Sequence, residues 1–99
     1  MIDEVTTVEP MPSEKARAHL QQVNPDALLA DGLNGGIVGI AKRETGQIVA
    51  AYSYDLCVEL LASRGMGYDN AIDWMDYNVV GSWLGPHTPV FVLNCEAQA

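Results

Sequence analysis

The sequence predicts an α+β domain, with a small antiparallel or mixed sheet of three strands and helices packed on one face of it. Three observations lead to this prediction: two β-branched runs around a glycine turn, two amphipathic helical patterns after them, and a short apolar run near the end. A chain of 99 residues suits one domain. We predict an irregular arm over residues 1–12, a single domain over residues 13–94 and a tail over residues 95–99.

The first elements are helical. Residues 13–22 start with an N-cap type of residue, Ser13, and continue with good helix formers, which predicts a helix. Asn24 and Pro25 then favour a further turn or helix that ends near Gly32. The apolar residues of this region that we expect in the core are Leu20, Val23, Leu28 and Leu29.

A hairpin follows, and a last strand is expected to join it. Residues 37–43 and 47–54 are rich in strand-forming side chains. The loop Glu44-Thr45-Gly46 between them suits a three-residue turn whose glycine takes a left-handed conformation. Residues 85–89 predict a turn, and residues 90–93 predict a short apolar strand.

Two amphipathic helices are predicted between the hairpin and the last strand. Asp55 is a good N-cap, and the helix after it should end near Gly65. Its apolar stripe consists of Leu56, Cys57, Leu60 and Leu61. The second helix should begin near Tyr68, and its stripe consists of Ile72, Met75, Val79 and Trp83.

The charge of the chain narrows its possible partners. Thirteen acidic residues against five basic ones give a formal net charge of −8. Such a chain repels nucleic acids and anionic membrane surfaces, so we expect neither as a direct partner and favour a basic protein. The alternative is that the charge only keeps the protein soluble. Two cysteines, no long apolar run and no signal-peptide pattern at the start favour the reducing cytoplasm.

The candidate site lies on the acidic side of the second amphipathic helix. Asp69, Asp73 and Asp76 fall at i, i+4 and i+7, so their carboxylates share a face and can imitate a row of phosphates. Trp74 and Tyr77 lie off the apolar stripe, and exposed aromatic rings beside carboxylates are typical of protein-binding patches. The predicted binding residues are Asp55, Glu59, Asp69, Asp73, Trp74, Asp76 and Tyr77.

Two alternatives account for the same residues without a partner. The acids can form an ordinary solvated face, with Asp69 capping its helix. The two aromatic rings can pack against the N-terminal helices instead. A Mg²⁺ or Mn²⁺ site is a third possibility, but no metal-binding motif supports it, so we predict neither a metal nor a cofactor.

Catalysis has weak support in the sequence. His87 lies in the predicted turn 85–89 and can serve as an acid or base, while Cys57 lies on a buried stripe where a thiol is inert. No third orienting group accompanies them. Gly35 and Gly36 lack a phosphate-loop pattern and precede a strand, not a helix. We therefore favour a protein that is not an enzyme.

Four segments carry a resemblance to a known group. They are Tyr52-Ser53-Tyr54-Asp55-Leu56-Cys57, Gly65-Met66-Gly67-Tyr68, Asn78-Val79-Val80-Gly81-Ser82-Trp83 and Thr88-Pro89-Val90-Phe91. With them the chain, from Ala27 onward, resembles a group of small uncharacterised proteins common in tailed-phage genomes. The resemblance implies a viral accessory protein in the cytoplasm of an infected bacterium. It transfers no site residues, because the group has no assigned activity.

Three hypotheses of function follow. The first is a small acidic phage-type accessory protein that binds and inhibits a basic or nucleic-acid-binding host protein through the acidic and aromatic helix face. The second is a protein that sequesters or hydrolyses a nucleotide or similar ligand at His87 and the Gly35-Gly36 turn. The third is a structural or assembly component, which would form a symmetric homo-oligomer.

Overall fold

The computed structural model describes residues 7–30, 32–43, 46–77, 85 and 87–92, and these residues form four strands and three α-helices. The elements are β1 (Thr7–Pro10), α1 (Ser13–Val23), β2 (Ile37–Lys42), β3 (Ile48–Ser53), α2 (Tyr54–Leu61), α3 (Tyr68–Met75) and β4 (Val90–Val92). A 3₁₀ turn at Asn34–Gly36 leads into β2, and a π-helical turn at Ala62–Met66 connects α2 to α3.

The strands form one mixed sheet in the order β1-β2-β3-β4. β1 and β3 each pair with β2 in antiparallel fashion, and β4 lies parallel to β3. The α+β prediction is confirmed, but the predicted number of three strands is wrong. The fourth strand, β1, lies in the segment for which we predicted an irregular arm.

β1 forms although its segment contains prolines. Pro10 pairs with Gly39 at the end of an edge strand, where the missing N–H of proline leaves no ladder partner unsatisfied. A Cβ on Gly39 would lie 2.1 Å from the Glu9 carbonyl oxygen, so glycine is what lets the two strands approach. The irregular arm is therefore wrong for Thr7–Pro10, while the domain boundaries stay a prediction.

The hairpin of β2 and β3 is confirmed. Gly46 has a φ of 97°, in the left-handed range expected for the last residue of its loop. The other two loop residues, 44 and 45, lie outside the described residues. A register shift between Ile37 and Gly39 marks a bulge in β2. The bulge lies next to Gly39, where β1 approaches β2 closely.

The segment after α1 is a turn and not a second helix. Asn24 is buried, and its Nδ2 donates to the Ile48 carbonyl at 2.7 Å. This hydrogen bond fixes the C-terminal end of α1 against the start of β3. Leu20 is buried as predicted. Val23, Leu28 and Leu29 are 48%, 37% and 44% exposed, so placing them in the core was wrong.

α2 begins two residues earlier than predicted. Ser53 is its N-cap, and the Ser53 Oγ accepts a hydrogen bond from the Leu56 backbone N–H at 3.2 Å. Asp55 is thus a residue of the first turn and not the cap. Gly65, with a φ of 98°, interrupts the helical backbone inside the π-helical turn, at the predicted helix end.

α3 begins at Tyr68 as predicted, after Gly67 at the N-cap position. It ends at Met75, and the continuation of the apolar stripe to Val79 and Trp83 lies outside the described residues. β4 confirms the predicted last strand over Val90–Val92, and Leu93 is not among the described residues.

The helices cover one face of the sheet, as predicted. Alternate sheet residues, including Ile40, Ala50 and Tyr52, share one core cluster with buried residues of all three helices. The Tyr52 ring stacks on Phe91 of β4, with ring centroids 5.0 Å apart. The intervening residues of the strands form a second, smaller cluster on the opposite face, which consists of Ala41, Val49, Ala51 and Val90.

Candidate functional site

The acidic row predicted on α3 lies on the protein surface. The backbone is helical from Tyr68 through Asp76, so Asp69, Asp73 and Asp76 share one face, and all three are exposed. The inner side of the same helix is formed by Ala71 and Met75, which are fully buried. The division between a buried apolar side and an outer acidic side therefore holds over the described length of α3.

The two predicted acids of α2 are also exposed. Asp55 lies in the first turn of α2, and Glu59 lies one turn further along. α2 and α3 pack against each other. The single basic residue between positions 55 and 78, Arg64, is exposed in the π-helical turn.

Tyr54 joins the acids of the two helices. Its hydroxyl donates to Asp76 Oδ1 at 2.7 Å. Burial of the ring and the bond to Asp76 raise the pKa of Tyr54 to about 12, and the negative charges of Asp76 and Asp55 act in the same direction. The neutral phenol therefore lies between carboxylates from α2 and α3. The sequence did not single out Tyr54, because its position was assigned to the end of a strand.

The aromatic side chains on α3 and just after it are exposed, whereas Tyr52 and Phe91 are buried in the core. Tyr77 is 87% exposed and Trp74 is 37% exposed, so the alternative that Tyr77 packs against the N-terminal helices is wrong. Tyr68, at 60% exposed, is a further surface aromatic that was not among the predicted binding residues. Its position at the helix start, directly before Asp69, was the available signal. Binding by any of these residues stays a prediction.

We use the name acidic-aromatic face for the surface made by exposed side chains of α2, of α3 and of the two residues that follow α3. Within the described parts of the chain, no group of three or more His, Cys, Asp or Glu side chains is arranged to hold a metal ion. The face consists of Asp55, Glu59, Tyr68, Asp69, Asp73, Trp74, Asp76 and Tyr77.

Asp69 does not cap its helix. The N-cap position of α3 is Gly67, whose φ is 86°, and no side chain caps this end by a hydrogen bond within the described residues. Asp69 lies in the first turn, where its negative charge interacts favourably with the helix dipole and stabilises the helix. This stabilisation and an interaction with a partner are compatible, because the carboxylate remains exposed.

His87 is half-buried and bonded, not a free turn residue. Asn24 Nδ2 lies 3.1 Å from His87 Nδ1 while it donates to the Ile48 carbonyl. Since the bond to Ile48 fixes which end of the Asn24 amide carries hydrogen, His87 Nδ1 is the acceptor. The His87 carbonyl also accepts from the Leu28 N–H at 3.1 Å. His87 thus holds the turn before β4 against the end of α1.

The glycine turn and Cys57 form a packing contact. A Cβ on Gly36 would lie 2.5 Å from the Cys57 Sγ, and one on Gly35 would lie 3.2 Å from the Leu60 side chain. Cys57 is fully buried, which confirms its predicted place on a buried stripe, and burial raises the pKa of its thiol to about 12. These contacts favour a packed turn over a phosphate cradle.

Comparisons with protein-family models, with curated proteins and with solved structures find no match to this chain. Among the residues that the structure describes, no helix is both long and apolar enough to span a bilayer.

Proposed function

We propose that this chain is a small phage-type accessory protein that binds a basic or nucleic-acid-binding host protein through its acidic-aromatic face and inhibits it. The observation that carries the proposal is the exposed row of Asp69, Asp73 and Asp76 along α3 and its C-cap, together with the exposed rings of Trp74 and Tyr77. The resemblance to small proteins of tailed phages supports the viral context, and with it a place in the cytoplasm of an infected bacterium.

The acids supply attraction and orientation. A surface with five carboxylates and one arginine over residues 55–78 attracts a positively charged partner over about 8 to 10 Å at moderate ionic strength. Along α3 the three aspartates are spaced by about 6 and 4.5 Å, since each residue adds 1.5 Å. A protein that binds a phosphate backbone in a basic channel would accept such a row in its place, and nucleic acid would be excluded.

The aromatic rings supply the contact area. Tyr77 and Tyr68 are more than half exposed, so most of their surface is available to a partner. Aromatic residues are enriched at the centres of interfaces because they bury a large area for few rotatable bonds. Charge alone gives fast but weak association, and the rings would extend the lifetime of the complex.

The test compares capture of host proteins by two variants of equal charge. One variant carries Asp69→Asn, Asp73→Asn and Asp76→Asn; the other carries Glu9→Gln, Glu14→Gln and Asp26→Asn, three exposed acids outside α2 and α3. Each triple change takes the formal charge from −8 to −5. Asparagine at position 76 still offers an oxygen to the Tyr54 hydroxyl, so the α2–α3 contact is kept.

The proposal predicts that wild type and the Glu9/Glu14/Asp26 variant capture the same basic protein from host lysate, and that the aspartate variant does not. Added nucleic acid should displace the captured protein. Equal capture by both variants would mean that net charge, and not this face, causes binding. Failure of every form to retain a basic protein would contradict the proposal as a whole.

A further inference from the structure

A cleft lies between α1 and the segment that follows it. Its volume is about 350 Å³, near the lower limit of small-molecule sites. Five of its residues belong to α1 and four to the turn and extended segment after it. They are Glu14, Arg17, Ala18, Leu20, Gln21, Asn24, Pro25, Ala27 and Leu29.

Arg17 is the positive group of this cleft. Its side chain is half-buried, and its Nε is buried without a hydrogen-bond partner among the described residues. A guanidinium carries five N–H donors and stays charged, so a buried donor without an acceptor costs free energy. Burial raises the pKa of Tyr52 to about 12, and the hydrogen bond from the Ala30 N–H and the positive charge of Arg17 oppose that rise.

The remaining wall is mainly apolar and partly open to solvent. Leu29 is 44% exposed, and Ala18, Pro25 and Ala27 line the cleft beside it. Leu28 and Val23, the neighbours of this segment, are exposed as well. A ligand with a short apolar chain would remove part of this surface from water, at about 25 cal/mol per Å² of apolar area.

The charges around the cleft restrict the anion. Glu14 lines the same cleft as Arg17, and the whole chain carries a formal charge of −8. Arg17 supplies one positive charge, which can balance at most one negative charge on a ligand, and Glu14 and the net charge of the chain oppose any further one. A nucleotide or a phosphate ester carries two or more negative charges and would be repelled. A carboxylate matches the planar fork of the guanidinium.

We propose that this cleft binds a small organic monocarboxylate, with the carboxylate at Arg17 and a short apolar chain along Leu29 and Ala27. The inference is separate from the acidic-aromatic face, because α1 packs on β2 and β3 while the face belongs to α2 and α3. Occupancy would fix the segment after α1, whose backbone also carries the Leu28 contact to His87.

The test is a titration with hexanoate, followed by the amide signals of ¹⁵N-labelled protein, with hexanamide as the uncharged probe of the same shape. Hexanoate should shift the signals of residues 14–29 in a saturable way. Hexanamide should bind with an affinity at least about tenfold lower, because it cannot form the charged hydrogen bond to Arg17. Arg17→Met should weaken the binding of hexanoate to the affinity that hexanamide has for the wild-type protein. Lys15→Met, an exposed change on the same helix, should leave hexanoate binding intact.

A second variant guards against a folding effect of Arg17→Met. Leu29→Asp places a negative charge at an exposed part of the cleft lining. It should weaken the binding of hexanoate far more than that of hexanamide, while the remaining spectrum stays that of the folded protein. Equal binding of the two probes, or hexanoate binding that survives both Arg17→Met and Leu29→Asp, would overturn the proposal. Shifts confined to residues outside 14–29 would overturn it too.

Discussion

At the scale of single residues, the protein keeps two ionisable groups in their neutral form inside the core. Burial raises the pKa of the Cys57 thiol from 9.0 to about 12 and that of the Tyr52 hydroxyl from 10.0 to about 12. Both groups belong to the core cluster that joins the sheet to the helices. In the unfolded chain they titrate at their ordinary pKa values, so their protonation is linked to folding.

This linkage predicts a loss of stability at alkaline pH. Below about pH 8 both states keep the two protons, and stability does not depend on these groups. Between pH 9 and about 12 the unfolded chain releases protons that the folded protein retains, so the free energy of unfolding falls by up to about 1.4 kcal/mol per pH unit for each group. Urea unfolding at pH 8, 9, 10 and 11 measures this fall in the free energy of unfolding.

The control for this prediction is Cys57→Ala, compared with its parent in a Cys95→Ser background that leaves one thiol. The variant should be less stable at pH 8, because a buried side chain is shortened. Between pH 9 and 10, however, its stability should fall less steeply than that of the parent. Parallel slopes would show that the Cys57 thiol does not titrate with unfolding.

At the scale of elements, the edge strand β1 depends on one glycine. A Cβ on Gly39 would lie 2.1 Å from the Glu9 carbonyl oxygen, which is backbone and cannot rotate away. The Met11 N–H donates to the Val38 carbonyl at 2.9 Å directly beyond this point, so the entry into α1 is fixed by the same pairing.

We therefore expect Gly39→Ala to destabilise the protein by about 2 kcal/mol and to loosen β1 in particular. Hydrogen exchange of the Met11 amide should accelerate more than that of amides in β3. Gly35→Ala is the matched control, because its Cβ would meet only the flexible Leu60 side chain, at 3.2 Å. A Gly39→Ala protein as stable as the Gly35→Ala protein would contradict the close approach of β1 to β2.

Local patterns predicted most of the elements, and their failures have physical causes. The hairpin and the start of α3 follow from turn residues and periodicity, which act over a few positions. α1 begins at Ser13, but Ser13 is its first residue and not its N-cap, and its Oγ donates to the Asn34 carbonyl. β1 was missed because Pro10 breaks the local pattern, and only pairing with β2 makes a strand of that segment. Leu28 and Leu29 were misplaced because the Asn24 side chain, through its contacts with Ile48 and His87, ends the helical path before them.

The candidate site was predictable to the extent that it depends on helical spacing. Asp69, Asp73 and Asp76 share a face because α3 is a helix, and the buried Ala71 and Met75 leave them outside. Tyr54 could not be found in this way, since its bond to Asp76 joins residues 22 positions apart on two helices. The Arg17 cleft likewise depends on how α1 meets a segment with no regular period.

At the scale of the whole molecule, the proposed binding of a basic partner depends on where the negative charges lie and not on the net charge alone. The formal charge of −8 would favour any basic protein weakly, but the acidic-aromatic face combines carboxylates with exposed rings on one pair of packed helices. Affinity that comes from this face should therefore respond both to ionic strength and to the position of the acids.

The most direct test is a calorimetric titration of the purified host partner at about 50 and about 300 mM salt. Wild type and the Glu9/Glu14/Asp26 variant should bind with similar dissociation constants that rise steeply with salt. The Asp69/Asp73/Asp76 variant should bind at least about tenfold more weakly at low salt and depend less on salt. If all three proteins bind equally at both salt concentrations, the acidic-aromatic face is not the binding surface.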